Sequence, residues 1–257
     1  MRSPRQSNMF LIAVLFAAVS SVLIALPALA TITGGALNIT ATNEAGDYAT
    51  IHIEVPPGPS PWIWSSNEIM EMRSPVTNEL IAILNPENKE TRVEYVDDPI
   101  IGLTFAVLAG PSPTIFVITS GLLSFPTMAG EARASVGFSL TDSDGDGATL
   151  TGIGDPNGAQ GAYLAQYNGD AGTVSGTTFA EFIPSMNAGI FSTSTQTDAL
   201  PQLGFLPIPD PVSDMSVMVS FELSANDQAS GTTVYVIQQP PTSVETASWG
   251  QVKSLYR

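Results

Sequence analysis

Apolar residues in this sequence recur at every second position. Val136, Phe138 and Leu140 alternate with Ser135, Gly137 and Ser139. Val217, Val219, Phe221 and Leu223 alternate with Met218, Ser220 and Glu222. A period of two puts successive side chains on opposite faces of an extended chain, which is the pattern of a half-buried strand. Turn chemistry separates the runs: the chain holds 22 glycines and 20 prolines, in groups such as Gly110-Pro-Ser-Pro113 and Asn226-Asp-Gln-Ala-Ser-Gly231. Together these predict an all-β fold of about a dozen short strands in an antiparallel β-sandwich. Its topology, jelly-roll-like or immunoglobulin-like, stays open.

The strands can be placed in order. Leu37–Ala41 and Tyr48–Val55 are joined by Asn43-Glu-Ala-Gly46, a hairpin turn. Glu79–Leu84 and Thr91–Val96 follow. Ile100–Ala109 and Thr114–Phe125 are nearly continuous in apolar residues, which predicts central strands covered on both faces. Ser135–Gly152 reads as strand, acidic turn, strand, so a hairpin is expected there. Ala162–Tyr167 is a strand, and Thr177–Ile183 fits a strand or one turn of helix. Residues 184–214 show no sustained period and read as a loop that either packs irregularly over the sandwich or holds a short element of its own. Val217–Leu223 and Thr233–Ile237 complete the set.

The two ends differ from the rest. Arg2 and Arg5 precede an apolar run from Met9 to Leu26, and Pro27 and Ala28-Leu-Ala30 close it. This is the build of a secretory signal peptide, residues 1–30, cut after Ala30. An uncleaved anchor is the alternative, and the Ala-x-Ala site and Pro27 favour cleavage. No later run has comparable apolar length, so no membrane span is expected after cleavage. Residues 31–238 form the sandwich domain. Residues 239–257 are a polar linker and a tail, Trp249 to Arg257, whose Trp249, Val252 and Tyr256 lie near helical spacing. The tail reads either as a sorting peptide or as a helix folded onto the sandwich.

Charge and cysteine count narrow the function. The chain carries 24 acidic and 8 basic residues, a formal charge of −16. Nucleic acid and anionic membrane surfaces demand clustered Lys and Arg, so neither is an expected partner. Charged residues are only 12% of the chain and apolar ones 44%, which suits a folded core and not an acidic disordered chain. With no cysteine, the exported chain has no disulfide or thiolate chemistry and relies on its core.

Two groups of residues offer ligand chemistry. Asp142, Asp144 and Asp146 alternate, and Gly147 follows. Carboxylates at this spacing can turn toward one centre, and glycine at the sixth position permits the bend of a calcium loop. The twelfth position, a bidentate Glu in an EF-hand, is Ile153 here, and the flanks are strands. A looser extracellular Ca2+ site is the expectation, completed by backbone carbonyls, Asp155, Asn157 or Asp170. A solvated Asp-Gly turn is the competing reading. Trp62 and Trp64 share one face if extended, which could form a stacking platform for a sugar. Two indoles capping the end of a sandwich are the plainer reading.

Catalysis finds little support: 24 acidic residues allow many carboxylate pairs of the kind a glycosidase uses, but no sequence pattern marks one out. His52 is the only histidine and falls on the polar face of its strand. Gly-x-Ser-x-Gly is missing, and one histidine without cysteine does not make a zinc site. Phosphate loops and dinucleotide fingerprints are missing too.

Several passages are similar to exported bacterial proteins of planctomycete type, many of them sorted by a C-terminal PEP-CTERM signal. They are Asp98-Pro-Ile-Ile-Gly-Leu-Thr-Phe105, Thr119-Ser-Gly-Leu-Leu-Ser-Phe125, Leu140 to Gly152, Tyr167-Asn-Gly169 and Phe221 to Thr233. The resemblance implies a β-sandwich on the cell exterior with no assigned reaction. The end of the chain departs from it: Pro-Glu-Pro, a terminal apolar helix and an Arg cluster are all missing. The sequence therefore points to a secreted, non-enzymatic structural or adhesive protein of the cell surface or extracellular matrix, with calcium stiffening one turn. Matrix, surface proteins or glycans are the expected partners. The alternative is a carbohydrate-binding module, or an accessory domain of glycan degradation, using Trp62 and Trp64.

Overall fold

The computed structural model describes residues 30–54, 60–154, 158, 160–171, 173 and 175–240. The signal peptide, Asp155, Asn157 and the Trp249 tail lie outside the described residues. In chain order the strands are β1 (Thr31–Asn43), β2 (Tyr48–Ile53), β3 (Trp62–Ser66), β4 (Met70–Arg73), β5 (Leu80–Leu84), β6 (Thr91–Val96), β7 (Ile100–Ala109), β8 (Thr114–Met128) and β9 (Glu131–Thr141). Then come β10 (Ala148–Gly152), β11 (Tyr163–Tyr167), β12 (Thr177–Phe182), β13 (Ser185–Ala188), β14 (Thr193–Leu200), β15 (Leu206–Pro207), β16 (Val212–Leu223) and β17 (Gln228–Gln238). All pairings are antiparallel, in two sheets. The eight-stranded sheet runs β12-β11-β16-β8-β1-β2, with β10 beside β16 and β13 beside β10. The nine-stranded sheet runs β14-β9-β17-β7-β5-β4, with β6, β3 and β15 attached. The chain is an antiparallel β-sandwich. No helix among the described residues is long and apolar enough to cross a membrane.

Alternation builds the core. On β9 the even residues Ala132 to Leu140 are buried and the odd ones half-buried. Phe105 and Phe138 from the nine-stranded sheet meet Phe116 and Phe221 from the other. Phe221 lies 5.9 Å from Phe105, 5.5 Å from Phe116 and 6.3 Å from Phe138, centroid to centroid. Gly231 pairs with Phe105 on one side and Phe138 on the other. A Cβ there would fall 2.5 Å from Phe138 and 2.7 Å from Phe105, so the missing side chain makes room for both rings. Tyr95 reaches across the sandwich, and its hydroxyl accepts the Gly121 N–H at 2.8 Å. This satisfies a backbone group where β8 and β16 slip register. Burial foremost holds the Tyr95 phenol far above its usual ionisation range.

Three sequence expectations change. Ser135–Gly152 is not a hairpin: β9 belongs to the nine-stranded sheet and β10 to the eight-stranded one, so the Asp-rich segment crosses between sheets. Alternation marks both strands but carries nothing about which neighbour each pairs with. Residues 184–214 are not a loop, since β13, β14, β15 and the start of β16 lie in them. β14 is an edge strand, TSTQTDAL, with no apolar alternation to show it. Only its register with β9, Thr193 opposite Thr141 through Leu200 opposite Ala134, makes it a strand. β7 and β8 are central, but each has one buried face and one largely half-open face. Thr177–Ile183 resolves as strand β12, and Asn43-Glu-Ala-Gly46 is the expected hairpin turn, closed by the Gly46 N–H on the Asn43 carbonyl at 3.0 Å.

Four connections cross from one sheet to the other at one end of the sandwich: Gly110–Pro113, Asp142–Gly147, Gly189–Ser192 and Ser224–Asp227. Both ends of the described chain leave from the opposite end. Thr31 pairs with Ser124 while Asn43 pairs with Thr114, and Gln238 pairs with Glu131 while Gln228 pairs with Thr141.

Candidate metal centre

The Asp-rich crossing is pinned to its neighbours by its own carboxylates. Asp142 is 3% exposed. Its Oδ1 accepts the Gly145 N–H at 3.0 Å and its Oδ2 accepts the Phe191 N–H, while its own N–H donates to the Ser192 carbonyl at 3.0 Å. Gly145 and Gly147 take φ of +94° and +96°, where other residues are strained, and so let the loop fold back over Asp142. The Phe191 ring covers Gly145 so closely that a Cβ there would lie 2.1 Å from it. Phe191 itself is 73% exposed.

The Ser224–Asp227 crossing supplies the other wall. Asp227 is buried; its carboxylate accepts the Ser143 N–H at 3.2 Å and the Ser224 hydroxyl. Asn226 Nδ2 donates to Asp144 Oδ2 at 3.1 Å. The Asp227 carbonyl accepts the Ala109 N–H and the Gly110 carbonyl accepts the Asn226 N–H, both at 2.9 Å, which ties in the Gly110–Pro113 crossing. The four crossings at this end therefore meet around one acidic corner.

Asp142, Asp144 and Asp146 each bring one carboxylate oxygen within 4.8 Å of the other two. Calcium bonds oxygen at about 2.4 Å, so one ion spans a set of oxygens about 4.8 Å across. The donor set is all oxygen, with two exposed carboxylates on an outer face, which suits a hard cation. The charges of the cluster act on one another. Repulsion by Asp144 foremost, then a hydrogen bond with Asp144, burial and the Asp142 charge raise the Asp146 pKa. Burial foremost raises that of Asp227, with the charges of Asp142 and Asp144 adding to it. Asp142 runs the other way: burial pushes it up, but the N–H groups of Phe191, Gly145, Gly147 and Asp144 outweigh burial and leave it lowered.

These directions set a pH response. Asp146 and Asp227 bind protons more tightly folded than unfolded, so without a metal stability falls as pH rises through the window above the ordinary aspartate value of 3.8. Asp142 binds its proton more weakly when folded. Its contribution is present above 3.8 and is lost as pH drops through its lowered value. In chelator, the melting temperature should therefore climb as pH is lowered from 7 toward this range and drop below it. A melting series that declines steadily from pH 7 downward would contradict the assignment.

The structure thus brings together the three aspartates expected from their spacing. Asp170 does not join them: it follows β11 at the other end of the sandwich, where burial and then the Asp214 charge raise its pKa. Trp62 is 8% exposed and packs on Tyr95 at 5.7 Å, and Trp64 is half-buried against the same core, so the pair faces inward at the β3 edge. His52 is exposed, with Nε2 2.7 Å from Glu54 and Nδ1 bonded to Asn38. Asp227, Asn226 and Phe191 were missed from the sequence. They contact the Asp-rich turn across 49 to 84 positions of sequence, and only the pairing of β9 with β14 and β17 brings them there.

No protein-family model matches the sequence, and no curated protein aligns with it. Among solved structures, a chain of the cowpea mosaic virus empty virus-like particle aligns at 8% identity. The alignment covers 86% of this chain and 94% of that one, with a TM-score of 0.24. A family 11 carbohydrate-binding module from Clostridium thermocellum, solved with a β-1,3-1,4-mixed-linked tetrasaccharide, aligns at 10% identity. It covers 71% of this chain and 86% of that one, with a TM-score of 0.21. Neither likeness bears on function.

Proposed function

We propose that this protein is an exported, non-enzymatic sandwich module of the cell surface or extracellular matrix, with a structural or adhesive role, whose outward end is clamped by calcium. The observation that supports this reading is the placement of Asp142, Asp144 and Asp146 where four sheet crossings converge, opposite the end from which the chain enters and leaves. A cation there adds a non-covalent tie between the two sheets in a chain without cysteine. It also relieves the repulsion that raises Asp146.

Calorimetric titration of the exported protein with calcium tests this. A heat of binding is expected, absent in Asp144→Ala. For a site of roughly millimolar affinity, 10 mM calcium adds about 1.4 kcal/mol of stability. That corresponds to a melting temperature about 3–6 °C higher than in chelator. Flat heats and superimposed melts would reduce the corner to a hydrogen-bonded loop cluster. Retention on immobilised glycans that is lost in Trp64→Ala would favour a carbohydrate-binding module instead.

A further inference from the structure

A groove of about 610 Å3 opens at the end of the sandwich from which the described chain leaves. Both sheets line it: Phe125 and Met128 near the end of β8, Ile100 at the start of β7, and Val236 and Ile237 near the end of β17. Phe125 and Ile237 are buried, and Ile100, Met128 and Val236 are half-buried, so the groove has an apolar interior. Asp97 and Asp98, both exposed, line it as well. Its volume falls among those of cavities that take a compact aromatic ligand.

The groove has acid without base. Among the described residues no ion pair reaches Asp97 or Asp98. Arg73 pairs with Glu71, Lys89 with Glu87 and Arg92 with Glu94, while Arg133 donates to the Gln202 carbonyl at 3.3 Å. The other basic residues after residue 30 are Lys253 and Arg257, in the tail. Gln239 lines the groove and Pro240 is the last described residue, so the seventeen residues 241–257 start beside it.

We propose that the C-terminal segment 241–257 docks in this groove of its own chain, with the Trp249 indole on the apolar interior and Lys253 against Asp97 and Asp98. Reach decides for this groove against the far end of the molecule. Trp249 follows Pro240 by nine positions, which span about 30 Å at most. The acidic corner lies beyond the eleven residues of β17, about 34 Å away at the rise of a strand. A tryptophan covers about 150–250 Å2 when it is buried, so an apolar groove at the point of exit is its nearest favourable place. The carboxylates add direction: they attract a basic tail and would repel an acidic one. The tail is then part of the packing that closes this end of the sandwich.

Trypsin digestion of the exported protein tests this, because Lys253 is the first lysine or arginine after Arg133. Cleavage there should be slower than in a synthetic peptide of residues 241–257, by about tenfold or more. Trp249→Ala should restore most of the peptide's rate. Asp97→Asn combined with Asp98→Asn should speed cleavage about two- to threefold, and the difference should shrink at high salt. Both aspartates are exposed, so this variant keeps the fold. Carbodiimide should join Lys253 to Asp97 or Asp98 within one chain. Cleavage of the parent at the peptide's rate would overturn the proposal. So would protection that neither variant reduces, since the tail would then lie elsewhere. A link from Lys253 to Asp97 or Asp98 of a second chain, rising with protein concentration, would also overturn it and make the groove a site for another copy's tail.

Discussion

Phe221→Ala is expected to lower the melting temperature by about 10 °C while leaving a single cooperative transition. Phe221 is wholly buried and is the ring that Phe105, Phe116 and Phe138 share. Two of those three partners belong to the facing sheet, so truncation opens a cavity at the contact between sheets and not within one of them. Phe to Ala in such a core costs about 3–5 kcal/mol, and a domain of this size loses about 2–4 °C per kcal/mol. Cavity cost depends on how far the walls can collapse. Here Gly231 leaves a gap that Phe105 and Phe138 already fill, so neither ring is free to follow the missing one without opening space over the glycine. Phe221→Leu, which keeps most of the volume, should lose clearly less. A fall under about 2 °C for Phe221→Ala would mean that the aromatic contact does not hold the sheets together.

Asp142→Ala is expected to destabilise the protein in chelator as well as in calcium, with a fall on the order of 5 °C, while Asp144→Ala does so only in calcium. The three aspartates share a spacing but not a role. Asp142 is covered, and its carboxylate closes the Gly145 and Phe191 N–H groups, so its removal leaves loop donors without an acceptor whether or not a metal is bound. Asp144 is exposed, and its carboxylate accepts the Asn226 amide. Its removal relieves the repulsion on Asp146, so the metal-free protein should be no less stable than the parent. Thermal melts of both variants, with and without calcium, separate the roles. Equal losses for both in chelator would mean that Asp144 is a structural staple too.

Local chemistry was legible in the sequence because it depends on residues close along the chain. Period two on Val136 to Leu140 and Val217 to Leu223 determined strands and their buried faces. The alternation of Asp142, Asp144 and Asp146, closed by Gly147, determined that three carboxylates could converge. The all-β class followed from the same pattern. Pairing did not follow, because a strand's alternation is satisfied by any neighbour that covers its apolar face. Only the tertiary structure decided that β9 and β10 lie in different sheets, so that the acidic segment spans the sandwich instead of turning within one sheet. It alone placed Asp227 and Phe191 against that segment, through the registers of β17 and β14 with β9. It also turned Trp62 into the core, where Tyr95 offers more apolar contact than solvent does.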